Sequence, residues 1–255
     1  MTRLTLIRCL VVMALLPFAL TAVAVAAAGT TTTLRFSDTA PGTSLPSGWK
    51  RYTMSRHKPP APMAIVRDGG DDVFSIEASH AAGAIAHMLD MPATTILSWR
   101  WKVDRSVAKA DLSKKSGDDF AGRVYVFFDV PRSQLSWLQR MKLDLAGRTL
   151  GHAMPTAALC YVWDNRHPVG TIATNAYFGE VKTIVLQSGD AHAGSWQTQR
   201  RDLAADFRAA FGRAAPRVTG IALASDTDNT GGQVKAWFGD VTLAPAPSAT
   251  PEAGR

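Results

Sequence analysis

The amino-acid sequence predicts an all-β fold, an antiparallel β-sandwich of the jelly-roll type with one or two short helices. First, about a dozen short apolar runs follow one another along the chain, and they are separated by Gly, Pro, Asp and Asn residues, which are typical of the turns between strands. Second, the longer runs alternate apolar and polar residues, which is the period of a strand with one buried face. Third, the regular succession of strands and long helices that builds a parallel sheet is missing from the sequence.

Residues 1–28 have the pattern of a signal peptide. Arg3 and Arg8 precede a long apolar run, and the small residues Ala-Val-Ala at 24–26 are typical of a cleavage site. We therefore predict export to the periplasm or secretion, with no stable membrane span after cleavage. The alternative is an uncleaved membrane anchor, against which stands Pro17 within the apolar run.

The rest of the chain predicts one β-sandwich domain over residues 29–244. Residues 130–156 form a long insertion in this domain, and the Pro/Ala-rich segment 245–255 predicts a disordered tail. The 28 Lys and Arg residues outnumber the 21 Asp and Glu residues, but the basic residues are spread along the chain. No nucleic-acid partner is therefore expected. The sequence does not indicate an oligomeric state.

Cysteine content predicts a domain without disulfides. The sequence contains two cysteines, and Cys9 lies in the predicted signal peptide, so Cys160 is left without a partner. Cys160 lies in the apolar run ALCYVWD, which is typical of a buried strand. We predict a packed, unreactive thiol.

Two helices are expected among the strands. The segment DLAADFRAAFG (202–212) repeats apolar residues at every fourth position, which places them on one helical face. Asp202 is a suitable N-cap and Gly212 a suitable C-cap. A less regular pattern at 133–142, inside the insertion, predicts a second helix.

Alternation within two strands suggests an aromatic binding face. Arg123 and Tyr125 share one face of their strand, and Tyr161 and Trp163 share one face of another. If both sets lie on the same sheet face, with Asn165 at the end of the second strand, they form a surface on which sugar rings can stack. The alternative is that these aromatic side chains belong to the core of the sandwich.

The polar segment between the last two apolar runs predicts a hairpin turn with a cation site. Asp226, Asp228 and Asn229 place three oxygen-bearing side chains within four residues, and such oxygens are the ligands that calcium prefers. We predict calcium there, with Asp240 as a further ligand. An EF-hand is excluded, because Trp237 occupies the position of its bidentate glutamate. The alternative is a turn whose Asp and Asn side chains bond their own backbone.

Catalytic chemistry has three candidate residues, Asp118, Asp119 and Arg123. In an extended segment, adjacent carboxylates point to opposite sides, so Asp118 and Asp119 cannot face each other as an acid–base pair. A glycosidase would need a second carboxylate several ångströms away, supplied by a distant segment. An enzyme is therefore less favoured than a binding protein.

Several motifs together resemble one known family. They are LPSGW (45–49), LSWRWKVD (97–104), GDDFAGRVYVFFD (117–129), LCYVWDN (159–165), QSGDAHAGSWQTQRRDLAADFRAAFG (187–212) and DTDNTGGQVKAWFGDVTL (226–243). This set is similar to exported bacterial proteins grouped as domain of unknown function 3047, and the resemblance implies an envelope protein without an assigned activity. More loosely, LPSGW and the closing GDVTL resemble carbohydrate-binding and concanavalin-like jelly rolls. That looser resemblance implies aromatic platforms and bound calcium.

From these observations we predict an exported cell-envelope protein that binds a glycan or another envelope polymer without cleaving it, with calcium as a structural ion. One alternative is a glycan-acting hydrolase or lyase. The other is a structural envelope module that binds another protein.

Overall fold

The computed structural model describes residues 30–52, 59–150 and 155–247. The predicted signal peptide and most of the predicted tail lie outside these ranges.

The described residues form thirteen β-strands and two α-helices. The strands are β1 (Thr32–Leu34), β2 (Trp49–Arg51), β3 (Met63–Asp68), β4 (Asp71–Ser79), β5 (Ala82–Met91), β6 (Thr95–Val103), β7 (Gly122–Phe128), β8 (Ala157–Asp164), β9 (Ile172–Thr174), β10 (Val181–Ser188), β11 (Gln197–Asp202), β12 (Val218–Asp226) and β13 (Gln233–Pro245). The helices are α1 (Trp137–Leu150) and α2 (Leu203–Phe211).

The strands build two sheets, which confirms the predicted all-β sandwich. The six-stranded sheet has the order β11-β6-β13-β4-β3, and β1 pairs with β13 beside this path. The seven-stranded sheet has the order β2-β5-β12-β7-β8-β10-β9. Neighbouring strands are antiparallel except β8 and β10, which run parallel.

The main core lies between the two sheets. In β6 the side chains of Leu97, Trp99, Trp101 and Val103 are buried, while the intervening polar side chains face outward. This is the face predicted from the alternation, because a strand with one wet face buries every second residue. The outward face of the six-stranded sheet is consequently polar.

A second, smaller core covers the outer side of the seven-stranded sheet. Cys160 and Val162 of β8 pack there with Leu112, Phe120 and Val185. Strand β8 is therefore buried on both faces. The predicted burial of Cys160 is confirmed, and burial raises the pKa of its thiol to about 12.

Both helices have identifiable caps. Asp202 accepts a hydrogen bond from the Ala205 N–H at 3.0 Å, and Gly212 ends α2 in the left-handed conformation with φ of 69°, as predicted. Helix α1 begins later than predicted, at Trp137, and continues to Leu150. Its start is set by a capping box, in which Ser136 and Gln139 each accept a hydrogen bond from the other's backbone N–H.

The last two strands do not form the expected hairpin. Strand β12 pairs with β5 and β7, whereas β13 pairs with β1, β4 and β6 in the other sheet. The polar segment 227–232 therefore crosses from one sheet to the other at one end of the sandwich. Strand β13 also reaches Pro245, at the start of the predicted tail. Among the described residues, no helix has the length and hydropathy needed to cross a bilayer.

Candidate functional site

Arg123 is the centre of a buried charged network at the end of the sandwich where this crossover lies. Its side chain projects from β7, away from the main core, and is 1% exposed. The Nε donates to Asp226 Oδ1 at 2.9 Å and the Nη2 to Asp226 Oδ2 at 2.7 Å, so the two side chains form a bidentate ion pair. The end of β12, from which the crossover departs, is thereby held to the start of β7.

Arg123 also binds the loop that precedes β7. Its Nη1 donates to Asp118 Oδ1 at 3.2 Å and its Nη2 to the Asp118 carbonyl oxygen at 2.5 Å. The same Nη1 donates to the Tyr125 hydroxyl at 3.2 Å. Burial alone would lower the pKa of Arg123, but the charges of Asp118 and Asp226 outweigh it and raise the pKa well above its ordinary value.

Asp119, which belongs to the same loop before β7, binds the crossover directly. Its carboxylate is 0% exposed and accepts hydrogen bonds from the Thr230 N–H at 2.6 Å and from the Asn229 side-chain amide at 3.1 Å. Asn229 Oδ1 in turn accepts from the Tyr177 hydroxyl at 3.2 Å. Asn175 Nδ2 donates to Asp118 Oδ2 at 3.0 Å, so the loop between β9 and β10 joins the network as well.

This network contains more negative than positive charge. Asp118, Asp119 and Asp226 are all buried, with Arg123 as the cation that contacts two of them. Burial, with the charges of Asp119 and Asp118 adding to it, raises the pKa of Asp226 to about 7 despite the opposing effect of Arg123. One carboxylate oxygen each from Asp119, Asp226 and Asp228 lie within 4.8 Å of one another. Three such oxygens could hold a metal ion.

The predicted cation ligands are therefore only partly brought together. Asp226 and Asp228 lie in the cluster, and the third carboxylate comes from Asp119, which the sequence suggested as a catalytic residue. Placing Asp240 in this cluster is wrong. Its Oδ1 accepts from the Phe36 N–H at 2.7 Å, and the eight residues after the crossover carry it about 25 Å away along extended strand.

The predicted aromatic face is also wrong. In the β7–β8 register, Tyr125 lies opposite Cys160, and residues directly opposite each other point to the same side of a sheet. Arg123 and Tyr125 therefore point to the outer side, while Tyr161 and Trp163 point into the main core. Alternation gives the two faces of each strand, but it does not say which face of one strand lies beside which face of the next.

The contacts of these side chains agree with a core position. Tyr161 is 0% exposed and its hydroxyl donates to Asp206 at 2.7 Å, while Trp163 is 1% exposed and donates to the Gly189 carbonyl at 3.0 Å. Asn165 Nδ2 donates to the carbonyl oxygens of residues 108 and 110, both at 3.0 Å, and so holds a neighbouring loop. The core alternative of the sequence analysis describes these aromatic residues correctly.

The catalytic candidates are similarly enclosed. Asp119 and Arg123 are 0% and 1% exposed, and Asp118 is 8% exposed. Their polar atoms contact one another and the backbone of the crossover, so their position gives them the role of joining loops.

A groove that sequence reasoning missed crosses the outer face of the six-stranded sheet. It has a volume of about 350 Å³ and its lining combines hydroxyls, carboxylates and one guanidinium, from Ser37, Asp71, Ser98, Arg100, Thr198 and Asp240. These side chains come from four neighbouring strands and the loop after β1. The signal in the sequence was the polar half of the alternation in β6, which consists of Ser98, Arg100 and Lys102.

Two tryptophans continue this surface beyond Arg100. The Arg100 guanidinium lies 4.6 Å from the Trp196 ring centroid, and Lys102 Nζ lies 4.5 Å from that of Trp237. Asp68, at the end of β3, accepts from Trp196 Nε1 at 2.8 Å and from Lys102 at 2.6 Å. Because β4 and β13 separate β3 from β6 in the sheet, this contact requires the β3–β4 turn to curve over the outer face. The β3–β4 turn therefore borders the outer face on one side.

The fold and these contacts define an all-β sandwich with a buried acidic–arginine network at one end and a groove on a polar outer sheet face. The family model described as "Protein of unknown function (DUF3047)" matches residues 47–242, more than half of the chain, so the chain belongs to this family. No curated protein sequence matches the chain.

Several solved structures align with most of this chain. A family 12 xyloglucanase from Bacillus licheniformis covers 85% of this chain and 100% of its own, with 7% identity and a TM-score of 0.44. The carbohydrate recognition domain of Emp47p covers 84% and 95%, with 11% identity and a TM-score of 0.43. A family 30 carbohydrate-binding module from Clostridium thermocellum covers 88% and 99%, with 11% identity and a TM-score of 0.35. These values are too low to transfer a function.

Proposed function

We propose that this protein is an exported cell-envelope protein that binds a glycan, without cleaving it, in the groove on the outer face of the six-stranded sheet. The observation that supports this proposal is the lining of the groove. Hydroxyl, carboxylate and guanidinium groups converge there beside a partly exposed indole.

The chemistry of the groove suits a sugar. Carboxylates accept hydrogen bonds from sugar hydroxyls, Arg100 donates them, and Trp196 offers an apolar ring for stacking. The Arg100 and Asp71 side chains are 35% and 54% exposed, so a ligand can reach both groups of their ion pair. A volume of about 350 Å³ accommodates one or two sugar rings of a longer polymer.

A glycan array followed by titration calorimetry tests this proposal. Arg100→Gln and Trp196→Ala should each weaken binding by about 1–3 kcal/mol, the range of an interface hot spot. The matched control is Arg217→Gln, because Arg217 also forms an exposed pair, with Asp90 at 2.5 Å, but lies outside the groove. Equal loss in all three variants, or binding that none of them changes, would contradict the proposed location. Release of shortened glycans would favour the hydrolase or lyase instead.

Export is part of the proposal and rests on residues 1–28. N-terminal sequencing of the protein from the periplasm or medium should find a start shortly after residue 26 or 28. Material that begins at Met1 would support the membrane anchor.

We further propose calcium as a structural ion at Asp119, Asp226 and Asp228. The closeness of these oxygens and the excess of buried negative charge support it. A bound cation would offset the repulsion among the carboxylates that join the crossover to the loop before β7.

Thermal unfolding tests the calcium proposal. Calcium at about a hundred times its dissociation constant stabilises a fold by ~2.7 kcal/mol. For a domain of this size, that gain should raise the melting temperature by roughly 5–10 °C. Asp228→Asn should reduce this gain, whereas Asp240→Asn should leave it intact because Asp240 contacts Phe36 and Ser37. Chelator-treated protein that melts at one temperature with and without millimolar calcium would rule the ion out.

A further inference from the structure

Helix α1 exposes apolar side chains along one side. Trp137 is 65% exposed, Leu138 46%, Met141 51% and Leu145 65%. They form the largest group of exposed apolar side chains that belongs to a single element in the described part of the chain. Large side chains grouped in this way on one surface indicate an interaction site.

The helix is anchored to the sandwich by its opposite side. Leu143 is 5% exposed and belongs to the main core, as does Leu135 just before the helix. At about 100° per residue, the four exposed apolar residues fall within an arc of about 100°, and Leu143 lies about 180° from the centre of that arc. The body of the protein therefore holds the apolar side of α1 outward.

The charges beside the apolar side are positive. Arg140 and Arg148 are exposed on α1. The acidic residue of the helix, Asp144, is paired with Arg132 at 2.8 Å, so it does not offset those two charges. Without Arg3 and Arg8 of the predicted signal peptide, 26 Lys and Arg residues remain against 21 Asp and Glu, a net charge of +5. A partner for this surface must therefore accept apolar side chains and be negatively charged.

We propose that α1 lies flat on an anionic lipid surface, with Trp137, Leu138 and Met141 inserted among the acyl chains and with Arg140 and Arg148 at the lipid phosphates. An exposed apolar arc with a tryptophan, with Arg140 beside the arc and Arg148 at its C-terminal end, is the arrangement of helices that bind in the plane of a bilayer interface. The basic side chains add attraction to acidic headgroups. The protein would thus attach to a membrane from its surface, independently of the glycan groove.

Vesicle binding tests this proposal. Protein recovered from the periplasm or medium, with its N-terminus determined, is sedimented with phosphatidylcholine vesicles, with or without phosphatidylglycerol. The combined variant Trp137→Gln, Leu138→Gln, Met141→Gln should lose about tenfold or more in partition, because each removes an inserted apolar side chain. Arg140→Gln with Arg148→Gln should lose about fivefold per charge, and only on vesicles with phosphatidylglycerol. The matched control is Val169→Gln with Ile172→Gln, two apolar residues outside α1 that are 64% and 42% exposed. This variant should bind vesicles as the wild type does.

A fluorescent label locates the contact. Because Cys160 is buried, Met141→Cys and Val169→Cys can be labelled with an environment-sensitive dye at the new cysteine. Vesicles should shift the emission of the label at 141 to the blue and leave the label at 169 unchanged. The proposal is overturned if the apolar variant binds vesicles as well as the wild type, or if the emission at 141 does not shift. Wild-type dimers that the apolar variant dissociates, without any lipid binding, would instead make α1 an interface between two copies of the chain.

Discussion

At the scale of single residues, the most unusual feature of the molecule is the buried charge of Arg123. A buried guanidinium loses its hydration, and only carboxylates with good geometry compensate for that loss. Asp226 supplies two of the hydrogen bonds and Asp118 two more, one through its carbonyl oxygen. Since Asp226 belongs to β12 and Asp118 to the loop before β7, this single side chain joins segments far apart in sequence.

Removing the Arg123 charge should therefore destabilise the fold strongly. Arg123→Met leaves Asp118 and Asp226 buried without their cation, and we expect a loss of about 3–5 kcal/mol in the free energy of unfolding. Arg217→Met removes an exposed ion pair and should cost ~0–1 kcal/mol. Urea denaturation of the two variants measures both values. Similar losses in both would mean that Arg123 is more hydrated than its contacts indicate.

The second prediction at this scale concerns pH and Cys160. Burial raises the pKa of the thiol to about 12, so the reactive thiolate is scarce in the folded protein at neutral and mildly alkaline pH. The free energy of unfolding should therefore fall as pH rises above about 9. The reason is that the cysteine of the unfolded chain ionises near pH 8.5, whereas the folded protein keeps its thiol protonated at that pH. A thiol reagent should label Cys160 at pH 8 only after denaturation. Rapid labelling of native protein would contradict its burial.

At the scale of elements, α2 was predictable because its signals are local. The apolar face, the N-cap and the C-cap all lie within eleven consecutive residues of the sequence, 202–212. Helix α1 was only half predictable. The pattern at 133–142 predicted a helix in this segment, but neither its start after the Ser136–Gln139 capping box nor its extent to Leu150.

The N-cap of α2 gives the prediction at this scale. Asp202→Ala removes the acceptor of the Ala205 N–H and should cost about 1 kcal/mol of stability. Asp202→Asn keeps an oxygen at the same place and should recover most of that loss. Thermal or urea unfolding of both variants distinguishes the cap from a simple charge effect. If Asn does not restore stability, the charge of Asp202 at the helix start matters more than its hydrogen bond.

At the scale of the whole molecule, the two sheets meet over a core of large aromatic side chains. Trp163 from the seven-stranded sheet packs against Trp101 from the six-stranded sheet, with ring centroids 5.8 Å apart. Contacts of this kind exist only once both sheets have formed, so they couple the two halves of the sandwich.

Truncating Trp163 tests whether it is a core residue or a ligand-binding one. Trp163→Ala should lower the free energy of unfolding by about 3–5 kcal/mol, as large-to-small substitutions of buried aromatic residues do. The exposed Trp137 is the matched control, and Trp137→Ala should change stability by less than about 0.5 kcal/mol. Calorimetric melting of both variants gives the comparison. A stable Trp163→Ala protein that has lost glycan binding would show that this side chain binds the ligand, as the alternation in its strand first suggested.

The candidate site was predictable in composition more than in arrangement. Asp226 and Asp228 stood out because acidic residues are concentrated in one short segment, and the structure does bring their oxygens together. Asp119 could not be assigned to them, since it is more than a hundred residues away in sequence. The outer groove was hidden for the same reason, because its lining comes from separate strands and a loop.

The sequence by itself determined the all-β class, the inward face of strands such as β6, the burial of Cys160 and the capped helix α2. Each of these depends on a repeat or a cap within a few consecutive residues. Only the tertiary structure decided that β12 and β13 belong to different sheets, that Tyr125 lies beside Cys160 and not beside Tyr161, and that Asp240 is remote from Asp226. The physical reason is that strand partners and registers are chosen by packing between distant segments, and a shift of one residue in register moves every side chain to the other face.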